Sequence, residues 1–476
     1  MYENNRTNLL LATDAYKGSH FKLYPSGTEA LRFYLAPRKP FAPDLTEFIF
    51  FGLTGFIHDF LKQPITTDDI AAAREIWDRF NVGGTPYPFP FDAFEKLVAE
   101  KDGRPPVNIY GMPEGRAGNR YNEPVAMVEC LDPDYLFLPG MLETALQRDV
   151  WYGSTVATLS RNVRVYLEGL YRDTVEADDY WTIDYRLHDF GARGVSSAQG
   201  AANGGLAHLI NFKGTDTMEA AARGRELYGM PADELAASIP AAEHSTVTSF
   251  GADFAAEKEA LHRMIDAFGE GPMFAFVSDS YDYKRFVDQA WGDPEIIARI
   301  RAKGAMPVVR PDSGDPVEMV LYALESLGKS WGNRVNAKGY KVLDGIAVIQ
   351  GDGMDHGKIV ELYQAIVAAG WSPQNLAVGM GGGLLQKVNR DTMSWSMKLY
   401  QIRREGRWYD VQKKPATMTA KRGWDPAGGL NTRDWVTYYM GDERNATYPE
   451  LPAYVPDFGA VRDRAAPGLL NRKEAV

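Results

Sequence analysis

The sequence predicts an α/β fold, in which an irregular (β/α) barrel of parallel strands is joined to a second, mixed α+β domain. From about Thr182 onward, apolar runs, polar or glycine-rich tips and helical patterns follow one another repeatedly, as parallel strands with crossover helices require. Seven or so such repeats suggest a closed or nearly closed barrel. Before residue 180 the pattern is mixed and does not repeat. We therefore expect residues 181–394 to form the barrel, and residues 1–180, joined by about 395–476, to form the mixed domain.

The mixed domain is expected to combine short strands with amphipathic helices. Alternating apolar residues predict strands, and apolar residues at helical spacing predict helices. The predicted elements are strands at Ala30–Leu35 and Pro124–Val128, helices at Phe48–Leu61 and Asp69–Phe80, the latter capped by Thr67 or Asp68, and one or two helices over Leu138–Tyr171. Trp395–Arg403 and Trp408–Gln412 are expected to form a hairpin that returns to this domain.

The predicted barrel strands are short and apolar, and helical patterns lie between them. The strands are Thr182–Leu187, Leu209–Phe212, Leu235–Ile239, Met273–Val277, Met306–Val309, Ile346–Ile349 and Leu376–Val378. The helices include Ala252–Ala267, Tyr283–Trp291, Pro316–Leu327 and His356–Ala369.

Composition excludes several classes of protein. The 52 basic and 63 acidic residues give a net charge of −11, which argues against nucleic-acid binding or general adhesion to a membrane surface. Cys130 is the only cysteine, so disulfides within the chain, zinc–thiolate clusters and iron–sulfur centres are excluded. No apolar stretch approaches the length of a membrane span, and we expect a cytoplasmic protein.

Polar residues and glycines follow each predicted barrel strand. These tips are His188–Gly194, Lys213–Asp216, Ala241–His244, Ser278–Asp282, Arg310–Asp315, Gln350–Gly353 and Gly379–Gly383. The carboxyl ends of the strands of a parallel barrel meet at one face, where barrel enzymes place their chemistry. The sequence therefore predicts one site built from all seven tips.

Several tips suit a phosphorylated ligand. Glycines in Gly379–Gly383 let backbone amides close on a phosphate, although a tight turn explains them equally well. Asp312 can accept both hydroxyls of a ribose, and Arg310 can stack on a ring or pair with phosphate. His244 lies near a helix start that favours an anion. Taken alone, such a histidine is more often an ordinary loop residue.

Other tips suit a heterocycle and a cation. Phe190 and Arg193 together offer an aromatic face and a guanidinium, although an aromatic residue here can also belong to the core. Asp282, Asp352 and Asp355 could bind Mg²⁺ through water beside a polyphosphate. Each could instead cap a helix, and for Asp355 we expect the cap.

Long segments of the chain resemble the nicotinamide phosphoribosyltransferase family, in the type II phosphoribosyltransferase fold group. The similarity covers nearly the whole chain and is greatest from His188 to Asp391. The matching segments are Asp14–Lys17, His188–Ser197, Asn211–Thr217, Ile239–Thr246, Val277–Asp282, Arg310–Gly314, Val348–Gly353 and Gly381–Lys387.

The resemblance implies a role for each candidate residue. The pyridine ring would lie between Phe190 and Tyr16 of a second subunit, so the active site would be shared in a homodimer. Asp216 would accept a hydrogen bond from the carboxamide, with Arg193 and Arg310 nearby. Asp14, Ser238 and Ser278 would complete the substrate-binding set; Asp312, Gly351 and Asp352 would hold the ribose; Gly381, Gly382 and Arg390 would take the 5′-phosphate; and Arg38, Lys398 and Lys413 would take the pyrophosphate.

The implied reaction transfers the phosphoribosyl group of phosphoribosyl pyrophosphate to nicotinamide, with Mg²⁺ as cofactor and ATP as co-substrate, in NAD salvage. The ring nitrogen has a free lone pair, so positioning and charge stabilisation suffice without a general base. The catalytic residues would be His244, Asp282 and Asp312. The neutral imidazole of His244 would attack the γ-phosphate of ATP, and Asp282 is expected to orient its other nitrogen.

Two alternatives stay open on the sequence. A nicotinate phosphoribosyltransferase would share the fold and chemistry, but the carboxylate of Asp216 would repel nicotinate. A catalytically silent relative that binds nucleotide or acts as a signalling ligand would have little use for His244.

Overall fold

The computed structural model describes residues 7–412, 429–444 and 446–466. The chain divides into two compact units, one comprising residues up to 158 with 389–465 and the other residues 159–388. The expected boundaries at 180 and 394 lie later in the chain. The observed boundary at 158 falls inside one continuous helix, Leu138–Thr174. Residue 393 already belongs to the first unit, because Arg38 N of that unit donates to Met393 O.

The first unit is built on a six-stranded antiparallel sheet. In spatial order its strands are Arg407–Asp410, Ser396–Arg404, Thr28–Ala36, Ala126–Cys130, Val107–Gly111 and Val436–Met440. A two-stranded sheet pairs Phe48–Ile49 with Ala117–Gly118. The predicted hairpin is confirmed, because the strand Ser396–Arg404 pairs with both Arg407–Asp410 and Thr28–Ala36.

The helices of the first unit pack on this sheet around a core of buried aliphatic and aromatic side chains. They are Leu53–Phe56, Thr67–Trp77, Phe91–Lys101, the first part of Leu138–Thr174, and Phe458–Ala465, with a π-helical turn at Ile57–Leu61 and 3₁₀ turns at Leu9–Leu11, Ala15–Lys22 and Pro133–Tyr135. Thr66, rather than Thr67 or Asp68, caps the second helix by accepting from Asp69 N.

The predicted helix Phe48–Leu61 is wrong at its start, because Phe48–Ile49 is a strand. Gly52 separates this strand from the helical turns that follow. Its φ is +106°, and an added Cβ would lie 2.4 Å from Asp149 O. Only glycine fits such a left-handed position against a neighbouring backbone.

The second unit is built on a six-stranded parallel sheet. In spatial order its strands are Gly214–Thr215, Leu187–Asp189, Leu376–Met380, Ala347–Gln350, Met306–Arg310 and Met273–Val277. A separate antiparallel pair joins Asn333–Val335 to Lys341–Leu343.

The segment 237–242 closes this sheet into a barrel. At one edge Thr215 N donates to Ala237 O (3.1 Å) and Ala237 N donates to Lys213 O (2.8 Å). At the other edge Ala275 N donates to Pro240 O and Ala242 N donates to Ala275 O, both at 2.9 Å. Both bridges are parallel, so seven chain segments complete the ring and the irregular (β/α) barrel is confirmed.

The helices of the second unit alternate with these strands as predicted. They are the second part of Leu138–Thr174, Ala198–His208, Met218–Tyr228, Ala232–Leu235, His244–Thr248, Phe254–Phe268, Tyr283–Phe286 with a π turn at Val287–Trp291, Pro294–Lys303, Pro316–Ser330, His356–Ala368 and Gly382–Leu385, with 3₁₀ turns at Ala177–Tyr185, Ala192–Gly194 and Pro373–Asn375. Asp355 accepts from Lys358 N, so its predicted role as a helix cap is confirmed.

Three predicted strands were misplaced. Thr182–Leu187 is mostly a 3₁₀ turn that ends at Tyr185. Leu209–Phe212 continues the helix Ala198–His208 as turns, with Leu209 N and Phe212 N donating to Gly205 O and His208 O, so the strand begins only at Gly214. Leu235–Ile239 starts in a helical turn, and its remaining residues join the closing segment.

Candidate active site

His244 and Asp279 form a hydrogen-bonded pair at the carboxyl end of the barrel strands. His244 begins the short helix that follows the closing segment, and Glu243 is its N-cap. The His244 Nε2–H donates to Asp279 Oδ1 at 2.9 Å. The side chain of Asp279 is 3% exposed, and its Oδ2 accepts from Asp312 N (2.9 Å) and Ser313 Oγ (2.6 Å). Because two other donors hold this carboxylate in place, it fixes the orientation of the imidazole ring.

The second imidazole nitrogen of His244 lies on the side of Asp312. Nδ1 of His244 lies 3.7 Å from Asp312 Oδ2, which is too long for a hydrogen bond. The His244 side chain is 44% exposed. In the neutral imidazole tautomer that donates its Nε2–H to Asp279, the lone pair lies on Nδ1.

The assignment of Asp282 as the partner of His244 is wrong. Asp282 Oδ1 accepts from Arg285 N at 3.0 Å and caps the helix Tyr283–Phe286. The sequence carried this signal, because an aspartate directly before a helical pattern is a common N-cap. Asp279, the first acidic residue after the strand Met273–Val277, orients the histidine instead.

Asp312 links the histidine pair to the next two strand ends. Its Oδ1 lies 3.7 Å from Arg310 Nε, and that Nε is buried without a hydrogen-bond partner in the structure. A Cβ added to Gly351 would lie 3.9 Å from Asp312 Oδ1 and 3.1 Å from Phe190 Cε2. The carboxylate of Asp312, the guanidinium of Arg310 and the ring of Phe190 therefore lie close together.

Phe190 lies over a floor of glycines. Its N–H donates to Met380 O, and a Cβ added to Gly379 would come within 2.0 Å of its ring. The ring also packs on the small cluster of Ala275, Val308 and Ile349. Phe190 is thus partly a core residue, as the alternative interpretation allowed, while it is only partly buried.

Replacing Gly379 with alanine should destabilise this floor. The new methyl group would overlap the Phe190 ring, and overpacking of this kind costs about 1–3 kcal/mol. Denaturant unfolding of the variant should show a lower midpoint. Gly169 lies in the helix Leu138–Thr174 with no atom within 4 Å of an added Cβ, so Gly169→Ala is the matched control and should be neutral or stabilising. Equal stability of the Gly379→Ala protein and the wild type would contradict the packing seen here.

Asp216 directly follows the strand Gly214–Thr215 and presents its carboxylate at the surface. The residue is exposed, its N–H donates to Asp189 O at 2.9 Å, and its Oδ1 accepts from Ser238 Oγ of the closing segment. The loop beneath is fixed by buried Asp189, whose Oδ1 accepts from Gly191 N at 2.7 Å. Burial raises the pKa of Asp189 to about 6.

Ser278, predicted as a substrate-binding residue, has its side chain in the core of the second unit. Its side chain is fully buried, and its hydroxyl donates to Phe276 O (3.0 Å) and accepts from Trp291 Nε1 (2.9 Å). Both hydrogen-bonding directions of the hydroxyl are used inside the unit, because residue 278 points away from the barrel interior that Ala275 lines.

The remaining candidates of the second unit lie on its loops. Arg193 and Asp352 are exposed. Gly381 caps the helical turn Gly382–Leu385, and a Cβ on Gly194 would lie 3.7 Å from Gly382 Cα. The loop that carries Arg193 and the glycine loop are therefore neighbours.

The candidates of the first unit include a cluster of cations. The pKa of Lys398 is lowered by desolvation and by the charges of Arg38, Lys17 and Arg390, while Glu143 opposes the shift. Crowded cations of this kind favour an anionic ligand. Asp14 Oδ2 accepts from Thr144 Oγ1 at 2.7 Å, and Tyr16 is 56% exposed. Lys413 lies outside the residues that the structure describes.

Comparison with known proteins decides the family. A model described as nicotinamide phosphoribosyltransferase, N-terminal domain, matches residues 8–109, and one described as the nicotinate phosphoribosyltransferase family matches residues 185–437. A nicotinamide phosphoribosyltransferase of Xanthomonas campestris pv. campestris is 40% identical over 94% of this chain and 92% of its own. The chain belongs to the nicotinamide phosphoribosyltransferase family. As a member of this family it is a pentosyltransferase.

Solved structures agree with the fold of a nicotinamide phosphoribosyltransferase family member. A nicotinate-nucleotide pyrophosphorylase from Pyrococcus furiosus superposes with a TM-score of 0.53 at 16% identity, covering 98% of this chain and 96% of its own. Human nicotinic acid phosphoribosyltransferase gives a TM-score of 0.50 at 19% identity, covering 82% and 74%. At these identities the likeness concerns the architecture alone.

The described part of this family member has neither a cluster of metal-ligating side chains nor a membrane-spanning helix. Within residues 7–412, 429–444 and 446–466, no group of three or more His, Cys, Asp or Glu side chains is arranged to hold a metal ion. Over those same ranges, no helix is both long and apolar enough to cross a membrane.

Proposed function

We propose that this protein transfers the phosphoribosyl group of phosphoribosyl pyrophosphate to nicotinamide, releasing nicotinamide mononucleotide and pyrophosphate for NAD salvage. The observation that carries the choice of acceptor is the exposed Asp216 carboxylate, steadied by Ser238. A carboxylate accepts hydrogen bonds from a carboxamide NH₂ and repels a second carboxylate.

Nicotinate is the second candidate acceptor, because the nicotinate phosphoribosyltransferase family model also matches the chain. A nicotinate carboxylate facing Asp216 would meet a like charge at short range, which costs several kcal/mol in a partly dry site. We therefore favour nicotinamide, whose ring would stack on Phe190 over the glycine floor.

Group transfer at the ribose needs positioning and charge stabilisation. The pyridine nitrogen supplies its lone pair to C1 of the ribose, and the bond from C1 to pyrophosphate breaks with its electrons on the leaving group. Asp312, whose Oδ1 lies 3.7 Å from Arg310 Nε, would hold the ribose hydroxyls. In the first unit, the cations Arg38, Arg390 and Lys398 suit the phosphate and pyrophosphate groups.

ATP is proposed to phosphorylate His244 at Nδ1. The lone pair on Nδ1 attacks the γ-phosphorus, and the bond from that phosphorus to the bridging oxygen breaks to release ADP. The imidazole then carries a positive charge and keeps its Nε2–H, which Asp279 accepts at 2.9 Å. The buried carboxylate stabilises that charge, as in other histidine–aspartate pairs.

Mg²⁺ is proposed as the companion of the polyphosphate substrates. Magnesium keeps several waters and binds through one or two carboxylates together with substrate phosphates, so a site without a protein-built cage fits it. Asp352 is exposed at the tip after the strand Ala347–Gln350, and we propose it as the carboxylate that takes part. Asp282 and Asp355 cap helices and are not assigned to the metal.

The proposal also includes a cytoplasmic homodimer in which Tyr16 reaches the partner's site. The supporting observations are the exposed ring of Tyr16 in the 3₁₀ helix Ala15–Lys22 and the exposed Leu23 directly after that helix. Sedimentation velocity tests the dimer directly, and a purely monomeric enzyme with full activity would overturn this part of the proposal.

Product formation tests the reaction. The protein is incubated with phosphoribosyl pyrophosphate and either nicotinamide or nicotinate, each with and without ATP. We expect nicotinamide mononucleotide in the nicotinamide reactions and a higher yield with ATP. Nicotinate mononucleotide as the main product, or no product with either acceptor, would overturn the proposal.

A further inference from the structure

A buried carboxyl group, Glu257, lies beneath the loop that orients His244. The residue is on the helix Phe254–Phe268, which packs against the helix His244–Thr248, and it is 1% exposed. Its spacing with Ala260, Leu261, Met264 and Ile265 puts it on the apolar face of that helix, where the other positions hold core residues. An acidic residue at such a position is costly unless it is neutralised or serves a function.

The groups that act on the charge of Glu257 include two carboxylates. Asp279 and Asp282 act on it from the loop after the strand Met273–Val277, the Ser280 backbone N–H faces it, and His244 acts on it from the preceding helix. Its Oε1 is buried without a hydrogen-bond partner, and so is Ser280 Oγ in the same loop. Burial, followed by the charges of Asp279 and Asp282, raises the pKa of Glu257 to about 7.

We propose that Glu257 is a positioning residue that holds a proton beneath the loop 279–282 and thereby keeps a further negative charge away from the phosphate that His244 receives. This inference rests on the proposed phosphorylation of His244. The oxygens of Asp279 already accept three hydrogen bonds, whereas Glu257 keeps a buried oxygen without a partner, so we assign the proton to Glu257. Two carboxyl groups near each other commonly divide the roles in this way.

The ionisation of Glu257 determines how the rate of phosphorylation should depend on pH. Below its pKa Glu257 is neutral and does not repel the approaching phosphoryl group. The buried carboxylate that then acts on the site is that of Asp279, which holds the imidazole of His244. Above its pKa Glu257 is ionised and repels both the γ-phosphate of ATP and the phosphate on the histidine. The rate of phosphorylation of His244 should therefore decline as the pH rises through neutrality.

The test is a pH profile of histidine phosphorylation. Acid-labile phosphate from labelled ATP is measured under single-turnover conditions between about pH 6 and about pH 9 for the wild type and for Glu257→Gln, which is neutral at every pH. We expect the wild-type rate to fall about fivefold on the alkaline side, as one nearby like charge would cause, and the variant to lose that fall. Glu259→Gln removes an exposed charge from the same helix and should leave the wild-type profile unchanged.

A second variant keeps the test decisive if Glu257→Gln folds poorly. Asp282 raises the pKa of Glu257, and asparagine preserves a helix cap, so Asp282→Asn should move the alkaline fall to lower pH. An unchanged fall in either folded variant, or an equal change in Glu259→Gln, overturns the role of Glu257. If the wild type takes up no acid-labile phosphate at any pH, the phosphorylation of His244 fails instead.

Discussion

Replacing Asp279 with asparagine should slow phosphorylation of His244 by about 100-fold or more. The carboxylate of Asp279 accepts the Nε2–H at 2.9 Å and is itself held by Asp312 N and Ser313 Oγ. Asparagine keeps the shape but removes the charge that stabilises the phosphorylated imidazolium, and it can also favour the wrong tautomer. Rapid-quench measurement of acid-labile phosphate from labelled ATP gives the rate.

Asp282→Asn is the control for that experiment. It removes one charge from the same loop, but Asp282 caps a helix and does not contact the histidine. We expect a loss of less than about tenfold near neutral pH, from the electrostatic effect alone. Equal losses in the two variants would contradict the assignment of Asp279 as the orienting residue.

Replacing Asp216 with asparagine should relax the choice between nicotinamide and nicotinate. Without the carboxylate, the repulsion that rejects nicotinate disappears, and a charge pair at short range in a partly screened site corresponds to about 100-fold or more in relative rate. The quantity to measure is the ratio of kcat/KM for nicotinate to kcat/KM for nicotinamide, at saturating phosphoribosyl pyrophosphate.

Ser238→Ala separates charge from position in this experiment. It removes the hydroxyl that donates to Asp216 and leaves the carboxylate in place. We expect a loss of about 2–10-fold in kcat/KM for nicotinamide, the size of one hydrogen bond, with nicotinate still rejected. Continued rejection of nicotinate by Asp216→Asn would show that another group sets the selectivity.

The barrel could be predicted from sequence where strands are buried on both faces. Met273–Val277 is an uninterrupted apolar run, and the observed strand has the same limits. The strand Gly214–Thr215 could not be found in this way, because its two residues carry no apolar pattern. The closing segment has no regular ladder, so its contribution depends on contacts that periodicity does not encode.

The site could be predicted as a set of loops, but not down to the side chain. Asp279 and Asp282 stand three residues apart in one tip, and only the fold shows which of them turns toward His244 and which caps a helix. Ser278 faces the core because side chains alternate along the preceding strand. Glu257 left a signal that could have been read, since its helical spacing put a charge on an apolar face.

The segment 237–242 lies next to both residues to which we assign acceptor choice and phosphorylation, Asp216 and His244. It is attached by four hydrogen bonds, two to each edge of the sheet. Ser238 near its start donates to Asp216, the residue proposed to select the acceptor, and two residues beyond its end lies His244, the proposed site of phosphorylation. Under the proposed function, inserting or deleting a single residue here would disturb acceptor choice and phosphorylation together, so a change in the length of this connection would retune neither property alone.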